Sequence, residues 1–267
     1  MIEVVRPGIA STFQDLGRPG LADIGVGAAG AVDLDLAALV NRLVGNAPEA
    51  AVIETCGDLE LRTTAAAVVA TSADLAPMSL TAGERLAVRP GARGRLWQYV
   101  AIRGGFDVQP VLGSASCDTL AGLGPEPLVE GQLVTALPAS PTFTVVDHAP
   151  LRDLDRVARI VAGPRLDWFT EASWAELQRE PWTVTTTSRV GVRLRGGKIE
   201  RVDDRELPSE GLVRGAIQVP PGGEPVMMLA DHPTTGGYPV IAVVHPDDVA
   251  TVGQHSAGSR IVLRRYG

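Results

Sequence analysis

Lysine is nearly absent from this sequence. Among 267 residues and 24 basic side chains, Lys198 is the one lysine. That excludes the G-x-x-x-x-G-K-[ST] phosphate loop, which the residues before Lys198 do not form. Cysteine is scarce too, with Cys56 and Cys117 alone. Two isolated cysteines make neither a disulfide framework nor a metal site, and they suit a reducing cytoplasm. The histidines, His148, His232, His245 and His255, are scattered without a His-x-x-x-His, so no metal site is expected. Gly-x-Ser-x-Gly does not occur. No run of about 18 apolar residues is present, so no membrane span is expected. MIEVVRPG at the start has no basic region followed by an apolar core, so no secretory signal is expected. The net charge of -7 argues against a broad nucleic-acid footprint. Aromatics make up 4%.

What is present is glycine and proline, 30 and 20 residues, in a chain that is 45% hydrophobic. Set among many Val and Thr, they favour short strands and tight turns over long helices. The length suits one large domain or two small ones. Ile2 to Val5 read as a first strand. A Gly-rich segment from Gly8 then leads to Asp33, an N-cap for a helix with Leu34, Leu36, Ala37, Val40, Leu43 and Val44 on its apolar spacing. Gly45, Asn46 and Pro48 end it. Strands are expected at 51–54, 59–63, 66–71, 80–89, 96–103 and 131–137, with 142–147 bracketed by prolines. Proline and charge mark a boundary near Asp147 to Asp153, giving halves 1–150 and 151–267. The second half offers strands at 159–161, 182–187, 191–194, 216–219, 226–230, 240–244 and 261–265. An amphipathic helix over 167–179 is stopped by Pro181. A local echo links Ala82-Gly83-Glu84-Arg85-Leu86 to Ala257-Gly258-Ser259-Arg260-Ile261.

Gly25 to Gly30 spell G-x-G-x-x-G before a helix, and Glu54 ends a strand at about the distance a ribose-binding acid would need. The segment Arg18-Pro19-Gly20-Leu21-Ala22-Asp23 in front of it breaks strands, however. Glycines for tight turns are therefore the better reading. His255 reads as a surface loop residue and Cys117 as a small buried one. The better chemical leads are two polar loops. Thr234, Thr235, Gly236, Gly237 and Tyr238 offer hydroxyls, backbone N–H groups and a phenol, a set suited to an anion, or alternatively a capped hairpin turn. Glu210 and Gln218 lie near in sequence. Gln14, Asp15 and Arg18 form a similar set, with Arg18 either a carboxylate partner or half of a structural ion pair.

These residues carry a resemblance. TFQDLGRPG, GAVD and NRLVGN, then GPRLDWF, SRVGVRL and ELPSEGLVRGAIQVPPGGEPVMMLADHPTTGGYPVIA, are similar to the KipA-like proteins, also called allophanate hydrolase subunit 2 or the 5-oxoprolinase C subunit. The carboxyltransferase domain of urea amidolyase belongs to the same family. The resemblance implies a mainly β fold of two cyclophilin-like β-barrel halves with a few short helices. It implies an ATP-dependent 5-oxoprolinase complex, opening 5-oxoproline to glutamate, in which this chain works with a KipI-like B subunit and an A subunit. ATP would be used by the assembly. No biotin-accepting Met-Lys is present. Two alternatives remain: an allophanate hydrolase or urea-carboxylase type of carboxyltransferase subunit, and a non-enzymatic KipA-like antagonist of a kinase inhibitor.

Carried over residue by residue, Gln14, Asp15, Gly17 and Arg18 match the family's QD-x-GR. Gly30, Ala31 and Asp33 match GAMD, with Val32 for Met, and Gly104, Gly105 and Phe106 match its GG-F. Ser114, Ser116 and Asp118 match GSRSTD, with Ala115 for Arg and Cys117 for Thr. Arg189, Gly191 and Arg193 match RMG-x-R, and Thr234 to Tyr238 are intact behind Pro233, where Gln is frequent. The expected substrate-binding set is Gln14, Arg18, Ser114, Ser116, Arg193, Gln218 and Thr234 to Tyr238, with Asp15 and Glu210 as candidate bases.

Overall fold

The computed structural model describes residues 1–139, 148–151, 153–179, 181–202 and 205–267. The strand expected over 142–147 lies outside them. Two compact units divide the chain. The first gathers Met1–Pro19, Ala29–Asp118 and Gly122–Asp153; the second gathers Gly20–Ala28, Thr119–Ala121 and Leu154–Gly267.

In the first unit the strands are β1 (Ile2–Arg6), β2 (Thr12–Gln14), β3 (Val52–Thr55), β4 (Leu59–Thr63), β5 (Ala67–Thr71), β6 (Pro77–Leu80), β7 (Arg85–Val88), β8 (Gln98–Ile102) and β9 (Leu133–Val134). They form an open sheet in the order β7-β4-β1-β9 and another in the order β2-β3-β8-β5-β6. Alternating burial along β4 and β7 turns Leu59, Leu61, Leu86 and Val88 into a core shared with Ile2, Val4, Ile53 and Val100. Phe13 meets Phe106 there, ring centroids 5.4 Å apart. Helix α1 (Leu34–Leu43) starts where expected, with the Asp33 carboxylate accepting from Leu36 N at 3.0 Å. Its end is tied down by Asn46, which donates to Ile102 O at 2.8 Å and accepts from Gly104 N at 2.8 Å. The strand expected over 80–89 is broken, because Glu84 turns back to accept from Thr81 Oγ1 at 2.9 Å.

The second unit contains β10 (Val157–Ala162), α2 (Glu171–Arg179), β11 (Trp182–Thr187), β12 (Gly191–Arg195), β13 (Glu210–Gly211), β14 (Ala216–Gln218), β15 (Val226–Met228), β16 (Thr235–Gly236), β17 (Val240–Val244), α3 (Pro246–Gly253) and β18 (Arg260–Arg265). Seven of these strands close a barrel, β10-β17-β14-β15-β12-β11-β18, sealed by a parallel β18–β10 ladder. Closure leaves that sheet no free edge. Ile160, Val184, Leu194, Ile217, Met227, Ile241 and Leu263 are all 0–1% exposed and belong to its core. Strands β13 and β16 pair separately.

Among the described residues the chain is mainly β with three short α-helices, as the resemblance implies. One closed barrel is present; a second is not shown, since the described strands of the first unit lie in two open sheets. Helix α2 begins later than expected, after a 3-10 turn at Leu166–Trp168. Helix α3 was not expected, although Pro246 in its first turn and Asp247 and Asp248 beside it are ordinary start signals. The echoed Gly83 and Gly258 share φ values of +89° and +88° at the entries to β7 and β18.

Candidate functional site

The Gly-rich segment is a structural turn. A 3-10 turn at Ala22–Ile24, not a strand, precedes Gly25. Gly30 has φ +91°, and a Cβ there would stand 3.1 Å from the backbone of Leu16 and Gly17, so main chain rather than a phosphate fills the space beside it. Glu54 does not face a ribose site. It accepts from Val32 N and from the Tyr99 hydroxyl, each at 2.7 Å, while Tyr99 accepts from Asp33 N at 2.8 Å. Burial, then the Glu54 charge, holds the Tyr99 phenol well above its usual range, so it remains a neutral donor.

Within the first unit, the matched residues form one buried polar knot. Strand β2 carries Gln14 fully buried, where Nε2 donates to Thr12 Oγ1 and Cys117 O, both at 2.9 Å. Asp15 follows and takes four hydrogen bonds: from Gly17 N and Ala115 N at 2.7 Å, and from Ser114 Oγ and Ser116 Oγ at 2.6 Å. Arg18, 3% exposed, donates from Nε to Val111 O at 3.3 Å and from Nη2 to Ser116 O. The knot holds the irregular Val111 to Asp118 loop. Two atoms in it, Gln14 Oε1 and Arg18 Nη1, are buried and lack a partner among the described residues.

The second unit has its own arrangement. Pairing of β13 with β16 sets Glu210 opposite Gly236. Glu210 is gripped by Arg165, whose Nε donates at 2.9 Å and whose Nη2 reaches the other oxygen. That guanidinium keeps the Glu210 carboxyl below its ordinary 4.5, which disfavours proton uptake by this candidate base. Gln218, at the end of β14, donates from Nε2 to Tyr238 O at 2.9 Å. A Cβ on Gly236 would meet that nitrogen at 2.7 Å, so the loop fits glycine there. Tyr238 is 46% exposed. Arg193 lies on the exposed face of β12 and pairs across the ladder with Val226.

The loop from Asp231 to Tyr238 is anchored by a buried ion pair. Arg189 Nε and Nη2 donate to the two Asp231 oxygens at 2.8 and 2.7 Å, both side chains 2% exposed or less. Thr119 adds its N–H at 2.9 Å and its hydroxyl at 2.7 Å to the same carboxylate. Arg189 and Asp231 lie in matched segments, but Thr119 lies 112 positions from its partner, beyond the reach of any local pattern. His255, expected on the surface, is buried, with Nε2 2.9 Å from Asp155 O. Cys117 is buried as expected. Among the described residues no group of three His, Cys, Asp or Glu could hold a metal ion. No helix of the described residues is long and apolar enough to cross a membrane.

The profile of the carboxyltransferase domain, subdomains A and B, matches residues 24–265, and the chain belongs to that family. Within it, the 5-oxoprolinase C subunit of Escherichia coli (strain K12) is 35% identical, over 98% of this chain and 90% of that protein. Among solved structures, a crystal structure of TTHA0988 superposes with a TM-score of 0.87 at 30% identity, covering all of this chain and 56% of that one. The K. lactis urea amidolyase also gives 0.87, at 26% identity, with all of this chain matched to 19% of that one. The E. coli relative is one component of an enzyme, and the K. lactis relative is an enzyme.

Proposed function

We propose that this chain is the C subunit of an ATP-dependent 5-oxoprolinase, acting on 5-oxoproline together with a KipI-like B subunit and an A subunit. The observation that carries the reading is the 35% identity over nearly the full length of both this chain and its E. coli relative. The reaction adds water across a cyclic amide, breaking the C–N bond to leave an amine and a second carboxylate. A bound 5-oxoproline needs a cation for its carboxylate and donors for the carbonyl oxygen as charge develops there. The Thr234 to Tyr238 loop, held by Gln218 and by the Arg189–Asp231 pair, is the proposed donor set. Asp15 is best read as the staple of its own loop, since its carboxylate accepts four donors, three of them at Oδ1. ATP use belongs to the assembly. Among the described residues the glycine-rich turn is not opened to a phosphate, since Gly30 is packed on backbone. The same reading takes 1–150 and 151–267 as cyclophilin-like halves, supported in the second by the closed barrel.

The test is reconstitution of the three-component complex with 5-oxoproline and ATP. Glutamate should form only when this chain is present; full activity without it sinks the reading. A second reading, carboxyl transfer from carboxybiotin, is favoured by the family profile and by the K. lactis superposition. Carboxylation of urea or a related amide by this chain with a carboxybiotin donor, and no glutamate in the first assay, would establish it instead.

A further inference from the structure

Two cavities in the second unit meet at one arginine. The first, of about 390 Å³, is lined by Lys198 to Arg201 and Pro220 to Gly223. The second, of about 320 Å³, is lined by Arg201, Arg205, Glu206, Pro221, Gly237 and Tyr238. Arg201 and Pro221 belong to both walls. Arg201 is placed by an isolated bridge to Phe169 and by Nη2 donating to Val219 O at 2.7 Å. Its Nε is buried and has no partner among the described residues. No carboxylate of the described residues forms an ion pair with it, in contrast to Arg62, Arg85, Arg159, Arg165 and Arg189. Arg205 lies with its guanidinium carbon 4.1 Å from the Trp168 ring centroid, a stacking contact that restrains it.

We propose that Arg201 anchors a carboxylate-binding subsite in this cleft, with Arg205 as the second cation and Pro221 and Tyr238 as walls for a small ring. A guanidinium fixed at one nitrogen and short of a partner at another matches the forked geometry of a carboxylate. Among the described residues the second cavity is lined by two arginines and the Glu206 carboxylate, a set that offers an anion its cations. The volume lies at the lower end for small-molecule sites and admits a ligand of about ten heavy atoms. That the carboxylate is that of 5-oxoproline rests on the function proposed above; the anion site itself does not.

The test is calorimetric titration of the full chain with 5-oxoproline, with pyrrolidin-2-one, which lacks the carboxylate, and with inorganic phosphate. Wild type should bind 5-oxoproline and not pyrrolidin-2-one. Arg201→Gln should weaken binding at least tenfold, and Arg205→Gln, at an exposed position, should weaken it severalfold. Melting temperatures check that each variant is folded; if Arg201→Gln fails to fold, Arg205→Gln decides. A folded Arg201→Gln with unchanged affinity overturns the proposal, as does equal binding of pyrrolidin-2-one, Arg201-dependent binding of phosphate in place of 5-oxoproline, or no binding of 5-oxoproline. The assembled complex separates the two readings. Glutamate formation with a KM unmoved by Arg201→Gln sinks the subsite and leaves the function. Arg201-dependent binding without turnover sinks the function and leaves the subsite.

Discussion

Asp15 and Asp231 are two aspartates in matched loops, and each organises its unit differently. Asp15 is held by four neutral donors, two hydroxyls and two backbone N–H groups. Asp231 is held by a guanidinium, with Thr119 in support. A neutral cradle loses separate hydrogen bonds when its acceptor goes, and its hydroxyls can rotate to new partners. An ion pair buried on both sides leaves a bare charge when either half goes. The clamp behind the Thr234 to Tyr238 loop is thus the less forgiving of the two.

That difference can be broken or sharpened by substitution. Arg189→Met or Asp231→Ala should each cost about 3–5 kcal/mol in denaturant unfolding, because the remaining partner is stranded in the interior. The double variant Arg189→Met/Asp231→Leu should cost less than either single change, and strict additivity would show that the pair is not energetically coupled. Asp15→Ala should cost less, about 2–3 kcal/mol, set by the two N–H groups left without an acceptor. If it proves the costlier, the ordering of the two loops is reversed. Tyr99→Phe removes one donor from Glu54 and one acceptor from Asp33 N, and should cost about 1–2 kcal/mol, read from the same unfolding curves.

The smallest effect concerns Asp248. Arg159 bonds to it through Nε at 2.8 Å and keeps its carboxyl below the ordinary 3.8. A carboxyl depressed in the folded state contributes stability that is complete above its unfolded value and lost as pH falls through the folded one. Arg159→Ala should therefore reduce the melting temperature slightly at neutral pH, and the difference from wild type should shrink below about pH 4. A gap that widened on acidification would contradict this assignment.

Much of the scaffold could be read from local grammar. The Asp33 cap, the strands at Leu59–Thr63, Trp182–Thr187 and Val240–Val244, and the turn role of Gly30 all follow from spacing and chain stiffness. The polar lead at Gln14 to Arg18 was legible as residue types, but not what holds them: Asp15 meets Ser114 and Ser116 about 100 positions away, a distance no local pattern spans. Arg201 was invisible for a different reason. It sits in no matched motif, and its place in the walls of two cavities and its unpartnered Nε emerge only from the fold. Helix α3 was a missed signal rather than a hidden one, since its proline and acidic first turn stand plainly in the sequence.

The lysine scarcity has a practical side. Lys198 has a side chain 81% exposed and lines the larger cavity beside Arg201. Apart from an α-amino group, it is the one primary amine an acylating dye can find on this chain. With the α-amino group, which acylates first near neutral pH, blocked beforehand, coupling at alkaline pH would place a single fluorophore at Lys198, whose pairing with Glu200 raises its pKa, with no engineered cysteine. Quenching or polarisation of that fluorophore would turn the native sequence into its own occupancy sensor.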